Sequence, residues 1–184
     1  MNRVFFSLFI LCSYTFGQRA DFFREDITFH LDGNRLDVEG YYWFWNTSNT
    51  PIASDIFYPF PYRFGDEIDS VRLYDLSRGQ RVQYRFDGTN GISFSLSIAP
   101  RDTTVLQIGY RQKLVGDSAM YILRTTQGWG KQLDRAEYKL LVPDSLVIKG
   151  FSYPPVKTYR IQGEKIYYWE MDNFMPALDM IFYF

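Results

Sequence analysis

The chain has 184 residues, 46% of them hydrophobic and 20% aromatic, and a formal net charge of −1. That length suits one domain with a real apolar core, and the near-neutral balance supplies no basic stripe, so nucleic acid is excluded as a partner. One histidine and one cysteine are too few for a zinc or copper site, and no cofactor is expected.

Met1-Asn2-Arg3 gives a short positive region, Val4 to Cys12 an apolar one, and Ser13 to Gly17 a polar end. Thr15 and Gly17 are small residues placed for cleavage between Gly17 and Gln18. Residues 1–17 therefore read as a secretory signal peptide, too short for a membrane span, and the protein is expected to be secreted or periplasmic. Cys12 leaves with this leader, so the mature chain, 18–184, forms no disulfide and relies on its core. No later apolar run has the length of a transmembrane helix.

Gln18 to Glu25 is expected to form at most a short turn, and Asp26 to Leu31 the first strand. Asp32-Gly33-Asn34 is a tight-turn signal leading into a long strand from Arg35 to Asn46. Along it Leu36, Val38, Tyr42 and Phe44 take one side, and Asp37, Glu39, Tyr41, Trp43 and Trp45 the other. This second face begins acidic, as if solvated, and becomes aromatic, as if covered. Asn46 to Pro51 breaks the pattern, and a second aromatic strand closes in Tyr58-Pro59-Phe60-Pro61. The two strands are expected to pair at the centre of the core.

After a loop at 62–67, strands are expected at Ile68–Asp75 and Arg81–Asp87 around a hairpin turn. Ile92, Phe94, Leu96 and Ile98 alternate with serines in the cleanest strand of the chain. Val105–Arg111 and Met120–Leu123 follow, then an irregular segment, Arg124 to Arg135, holding Gly128-Trp129-Gly130. Ala136–Val142, Leu146–Ser152, Val156–Ile161, Ile166–Glu170 and Leu178–Phe184 complete the series. About a dozen short strands with regular turn signals predict an all-β, antiparallel β-sandwich, with residues 18–184 as a single domain.

The order of these signals resembles a known family. Val38 to Pro61, an alternating strand ending in Asn46-Thr47-Ser48-Asn49 and then a strand closing in Tyr58-Pro59-Phe60-Pro61, resembles the opening of the vault/inter-alpha-trypsin (VIT) β-sandwich domain. It is also similar to a group of secreted bacterial domains of unknown function. Pro100 through Tyr110-Arg111-Gln112 and Leu114, then Tyr121, Thr125 to Trp129 and Pro143, then Trp169, Asn173-Phe174, Pro176 and Asp179 look like that group's later landmarks. Thr126-Gln127 departs from it where a glycine would follow the threonine. The resemblance implies a β-sandwich with a non-enzymatic, interaction-type role and brings no catalytic residues with it.

Little in the chain points to catalysis. By alternation His30 lies opposite Ile27, Phe29 and Leu31 and faces away from the core, as an ordinary strand histidine does. Asp66-Glu67 with Asp69, and Asp21 with Glu25-Asp26, offer oxygen ligands for calcium but lack a calcium-loop spacing, so solvated loops are the plainer reading. The aromatic residues carry more interest. Trp43, Trp45, Trp129 and Tyr121 are the candidate ligand contacts, since exposed aromatics stack on sugars or anchor protein partners. Phe182 and Phe184 at the end of an alternating strand are also how outer-membrane barrels finish, although Asp179 and the many prolines argue against that. Asn46-Thr47-Ser48 matches a glycosylation sequon. The expectation is a non-enzymatic binding domain of the cell envelope whose partner is another envelope or extracellular protein, with a carbohydrate-binding module and a small outer-membrane barrel as alternatives.

Overall fold

The computed structural model describes residues 20–61, 67–88 and 90–184. The expected leader, its cleavage point, Asp66 and most of the loop at 62–67 lie outside the described residues. Alternating burial produces fourteen strands among the described residues. They are β1 (Asp21–Asp32), β2 (Arg35–Trp45), β3 (Ile52–Pro59), β4 (Glu67–Asp75), β5 (Gln80–Arg81), β6 (Arg85–Phe86) and β7 (Gly91–Ile98), followed by β8 (Thr103–Lys113), β9 (Ser118–Tyr121), β10 (Leu133–Pro143), β11 (Gly150–Phe151), β12 (Lys157–Ile161), β13 (Glu164–Phe174) and β14 (Met180–Tyr183). One 3-10 turn, Arg124–Trp129, stands between β9 and β10. The chain is all-β.

Eight strands form a large sheet in the order β12-β13-β10-β1-β2-β8-β4-β5, and two small sheets run β3-β7-β6 and β11-β14-β9. The large sheet is open, with β12 and β5 at its edges, so no barrel closes here. Phe29 of β1 meets Tyr121 of β9 and Phe182 of β14 edge-on, at 5.2 and 5.1 Å between ring centres. Tyr42 of β2 meets Tyr58 of β3 at 5.7 Å. Phe29 and Tyr42 share the inner face of the large sheet, so both small sheets cover that face, and one apolar cluster draws side chains from all three. The opposite face carries ion pairs, such as Arg135 with Glu170 at 2.6 Å and Arg24 with Asp26 at 2.8 Å.

Several expectations change. Strand β1 starts at Asp21, where a turn was expected, because Phe22 is buried and pairs with Phe44. The sheet is not wholly antiparallel: β1 runs parallel to β10 from Arg24↔Arg135 to His30↔Leu141. The hairpin partner β2 occupies one side of β1, and β10 fills the other after a long excursion through both small sheets. The expected strand over 81–87 splits into β5 and β6, which belong to different sheets, and only Gly150–Phe151 of the stretch 146–152 is a strand.

The two aromatic strands β2 and β3 also do not pair. Strand β2 lies between β1 and β8, whereas β3 pairs with β7 in a small sheet. Asn46 makes the transfer. It is fully buried, and its Nδ2 donates to the carbonyls of Thr50 (2.8 Å), Ile98 (3.2 Å) and Ala99 (2.9 Å). Its Oδ1 accepts from the Ser48 backbone N–H at 2.9 Å and the Ser48 hydroxyl at 2.7 Å. With its amide committed and covered, Asn46 offers no acceptor to a glycosylating enzyme in the folded chain.

Asn46→Ala leaves three carbonyls short of a donor in a buried corner. We expect it to lower the unfolding free energy by about 3 kcal/mol or more in urea denaturation. A loss under about 1 kcal/mol, the net worth of one ordinary hydrogen bond, would show that the corner holds without it.

Candidate functional site

A cavity of about 90 Å³ opens between the large sheet, β3 and the 3-10 turn. Its floor comes from an irregularity in β1. The pairing with β2 shifts register between Phe22 and Arg24, leaving Phe23 as the extra residue. Strict alternation inward from Ile27 and Glu25 would turn Phe22 outward; the bulge turns it in. Phe22 and Glu25 then stand beside Phe44 and Tyr42, their partners on β2. Strand β3 supplies Ile56 and Tyr58, β9 supplies Tyr121, and the turn supplies Thr126 and Trp129.

The turn itself is tied down from β14's side. Asp179 Oδ1 accepts from the backbone N–H groups of Leu123 (3.1 Å) and Arg124 (3.0 Å), and its other oxygen pairs with Arg124. Gln127 donates to the Pro176 carbonyl at 2.7 Å. Trp129 is thereby held over Phe22 and Phe44, at 5.7 and 5.4 Å between ring centres, in tilted contacts that add to the area they bury.

Three phenol hydroxyls converge at the other end. Tyr42 Oη lies 2.8 Å from both Tyr58 Oη and Tyr121 Oη, and the Tyr58 hydroxyl reaches Tyr121 at 3.4 Å. Burial pushes all three well above the usual phenol value, so they stay neutral and act as donors and acceptors of hydrogen bonds. Glu25 is 2% exposed and lines the same cavity, with the Tyr138 hydroxyl of β10 donating to its Oε1. Desolvation dominates this carboxyl and raises it from 4.5 to about 7, against the lowering effect of the Tyr138 bond.

The reach of Tyr42 depends on the glycine two residues before it. A Cβ on Gly40 would lie 2.6 Å from Tyr42 Cζ, so the ring folds over a position that only glycine leaves empty.

The expected contacts divide. Trp129 and Tyr121 both line the cavity, Tyr121 as a buried member of the hydroxyl cluster and Trp129, half-buried, as a wall. Trp43 and Trp45 sit on the far face of β2, as the alternation predicts, and do not join them. Among the described residues no sheet covers that face, contrary to expectation. Trp45 is 43% exposed, and Trp43 is half-buried with the Arg24 guanidinium 4.6 Å from its ring centre. His30 is exposed on the same side. The acidic groups disperse: Asp21 pairs with Lys131, Asp26 faces outward to Arg24, Glu67 pairs with Lys113, and Asp69 approaches Arg111. No group of three or more metal-ligating side chains occurs among the described residues.

No protein-family model matches the chain, and no curated protein matches it in sequence. Among solved structures, it is similar to a candidate nutrient-binding protein of Legionella pneumophila at 12% identity and a TM-score of 0.64, over 89% of this chain and 67% of that one. It is also similar to an M1 zinc metallopeptidase of Deinococcus radiodurans at 15% identity and a TM-score of 0.53. That match covers 89% of this chain and 42% of the peptidase. The chain thus spans less than half of the peptidase, and at these identities the likeness is one of fold.

The buried carboxyl makes stability depend on pH. Below about pH 4.5 Glu25 holds its proton whether folded or unfolded; between 4.5 and about 7 only the folded chain keeps it. We expect unfolding free energy to fall by roughly 3 kcal/mol as pH rises through that window, and Glu25→Gln to remove that part of the slope in urea titrations. Identical slopes in both proteins would place a solvated carboxylate at this position. Independently, Gly40→Ala should cost about 1–3 kcal/mol through overpacking against Tyr42; an unchanged denaturation midpoint would mean that the ring yields freely.

Proposed function

We propose that the chain is a non-enzymatic binding domain, carried out of the cytoplasm by residues 1–17 and acting as a secreted or periplasmic β-sandwich. The observation that carries this reading is the cavity, in which an aromatic wall, three neutral hydroxyls and one buried carboxyl converge. Pockets of this make-up, mostly apolar with a few placed polar groups, are where small ligands bind. A fold neighbour described as a candidate nutrient-binding protein supports a binding role, though the likeness is confined to fold. The VIT-like order of turn and core residues belongs to the same proposal and rests on the sequence.

A second reading keeps the partner expected from the sequence, another protein of the cell envelope. Exposed Trp45 next to Trp43, on the face that no sheet covers, favours it. The two readings use opposite faces of β2, so one experiment separates them. Purified protein is melted against soluble sugars, amino acids, small amines and calcium, alongside Trp129→Ala and Trp45→Ala. A cavity ligand at a hundredfold excess over Kd should stabilise the parent and Trp45→Ala by about 2.7 kcal/mol and leave Trp129→Ala unmoved. A ligand effect lost in Trp45→Ala alone would shift the function to the outer face.

A further inference from the structure

We propose that the cavity takes the ammonium head of a small aliphatic amine, seated on Glu25 among the tyrosine hydroxyls. This rests on reading the cavity as the binding site.

Charge decides the class of ligand. Among the described residues, the cavity is lined by two acids, Glu25 on its floor and Asp55 at its mouth, and by no lysine, arginine or histidine. An anion would be desolvated against carboxyls with no partner of opposite sign. An ammonium group meets the reverse situation. Its three N–H donors find acceptors in the Glu25 carboxylate and in the hydroxyls around Tyr42, and the rings of Phe22, Tyr42 and Trp129 line the same space.

Size narrows the choice further. At about 90 Å³ the space is smaller than the ~150 Å³ cavity that encloses a benzene ring, so a sugar ring does not fit inside, whereas an ammonium head with the first carbons of its chain does, the rest of the tail lying toward the mouth. Asp55 is exposed, with Ser95 donating to it at 2.8 Å, and adds a negative charge where a cation would enter.

The same arrangement couples binding to protons. The groups facing Glu25 are the hydroxyls of Tyr138 (β10), Tyr42 (β2), Tyr58 (β3) and Tyr121 (β9), which burial keeps neutral, and Asp26, which points to the other face and pairs with Arg24. No protein cation reaches Glu25 among the described residues. An entering ammonium would displace the Glu25 proton to solvent, and affinity would rise with pH until that proton is already gone.

The test uses two probes of matched shape, n-butylammonium chloride and n-butanol, titrated into the purified protein by calorimetry at pH 5 and pH 8. Glucose serves as a third probe, and Glu25→Gln and Trp129→Ala as variants. The expected result is butylammonium binding at least about tenfold tighter than butanol at pH 8, weakening by about tenfold per pH unit below 7, with proton release varying with buffer. Glu25→Gln should lose the preference while showing the parent's cooperative urea transition at pH 5. If butanol or glucose binds as tightly as butylammonium, and Trp129→Ala removes that binding, the cavity remains a binding site but the cation inference falls. If no probe binds and none of the ligand panel depends on Trp129, both readings fall.

Discussion

The corner at Asn46 is the constraint on which the rest of the structure depends. One side-chain amide gathers three carbonyls and steadies Ser48 at the point where the chain leaves the large sheet and starts the small one. Ile98 and Ala99 belong to the end of β7 and the turn after it, so the amide also joins the two strands of the small sheet's hairpin-like pair to the end of β2. That fixes the height and direction of β3. Tyr58 then lands over Tyr42, and the cavity acquires a roof.

The cavity departs from what folding alone favours. A buried carboxyl and a cluster of phenols sit where aliphatic side chains would pack more cheaply. Each polar group is compensated by geometry: Tyr138 donates to Glu25, the three hydroxyls satisfy one another, and glycine at position 40 gives Tyr42 room to reach them. Such local concessions are typical of functional positions in otherwise consistent sequences.

Much of this was legible in the residues, and the limits have physical causes. Alternation on β2 and β7 reports which side of a strand is wet, and both patterns hold residue for residue. It cannot report which strand lies alongside, because partner choice rests on contacts distant in sequence; hence the mistaken pairing of β2 with β3 and the missed parallel pair. Trp129 and Tyr121 stood out as aromatics near a glycine-marked turn, and they do share a cavity. Glu25 was missed because the segment before Asp26 reads as a turn. Its signal was nevertheless present, as a carboxylate in phase with Ile27, Phe29 and Leu31. The bulge that brings Phe22 in beside it has no residue signature. Trp43 and Trp45 were placed on the correct face, but an aromatic strand end does not tell whether a layer covers it.

The parallel union of β1 with β10 also governs the order in which the molecule can be made. Tyr138 and Glu25 are 113 positions apart, so β1 keeps one edge open until β10 has emerged. Its other edge closes early through the turn at Gly33, and β8 then zips onto β2. The last central seam therefore waits for a loop closure spanning most of the protein, the kind of non-local pairing that slows folding. The Glu25–Tyr138 bond, and with it the floor of the cavity, depends on this long-range closure.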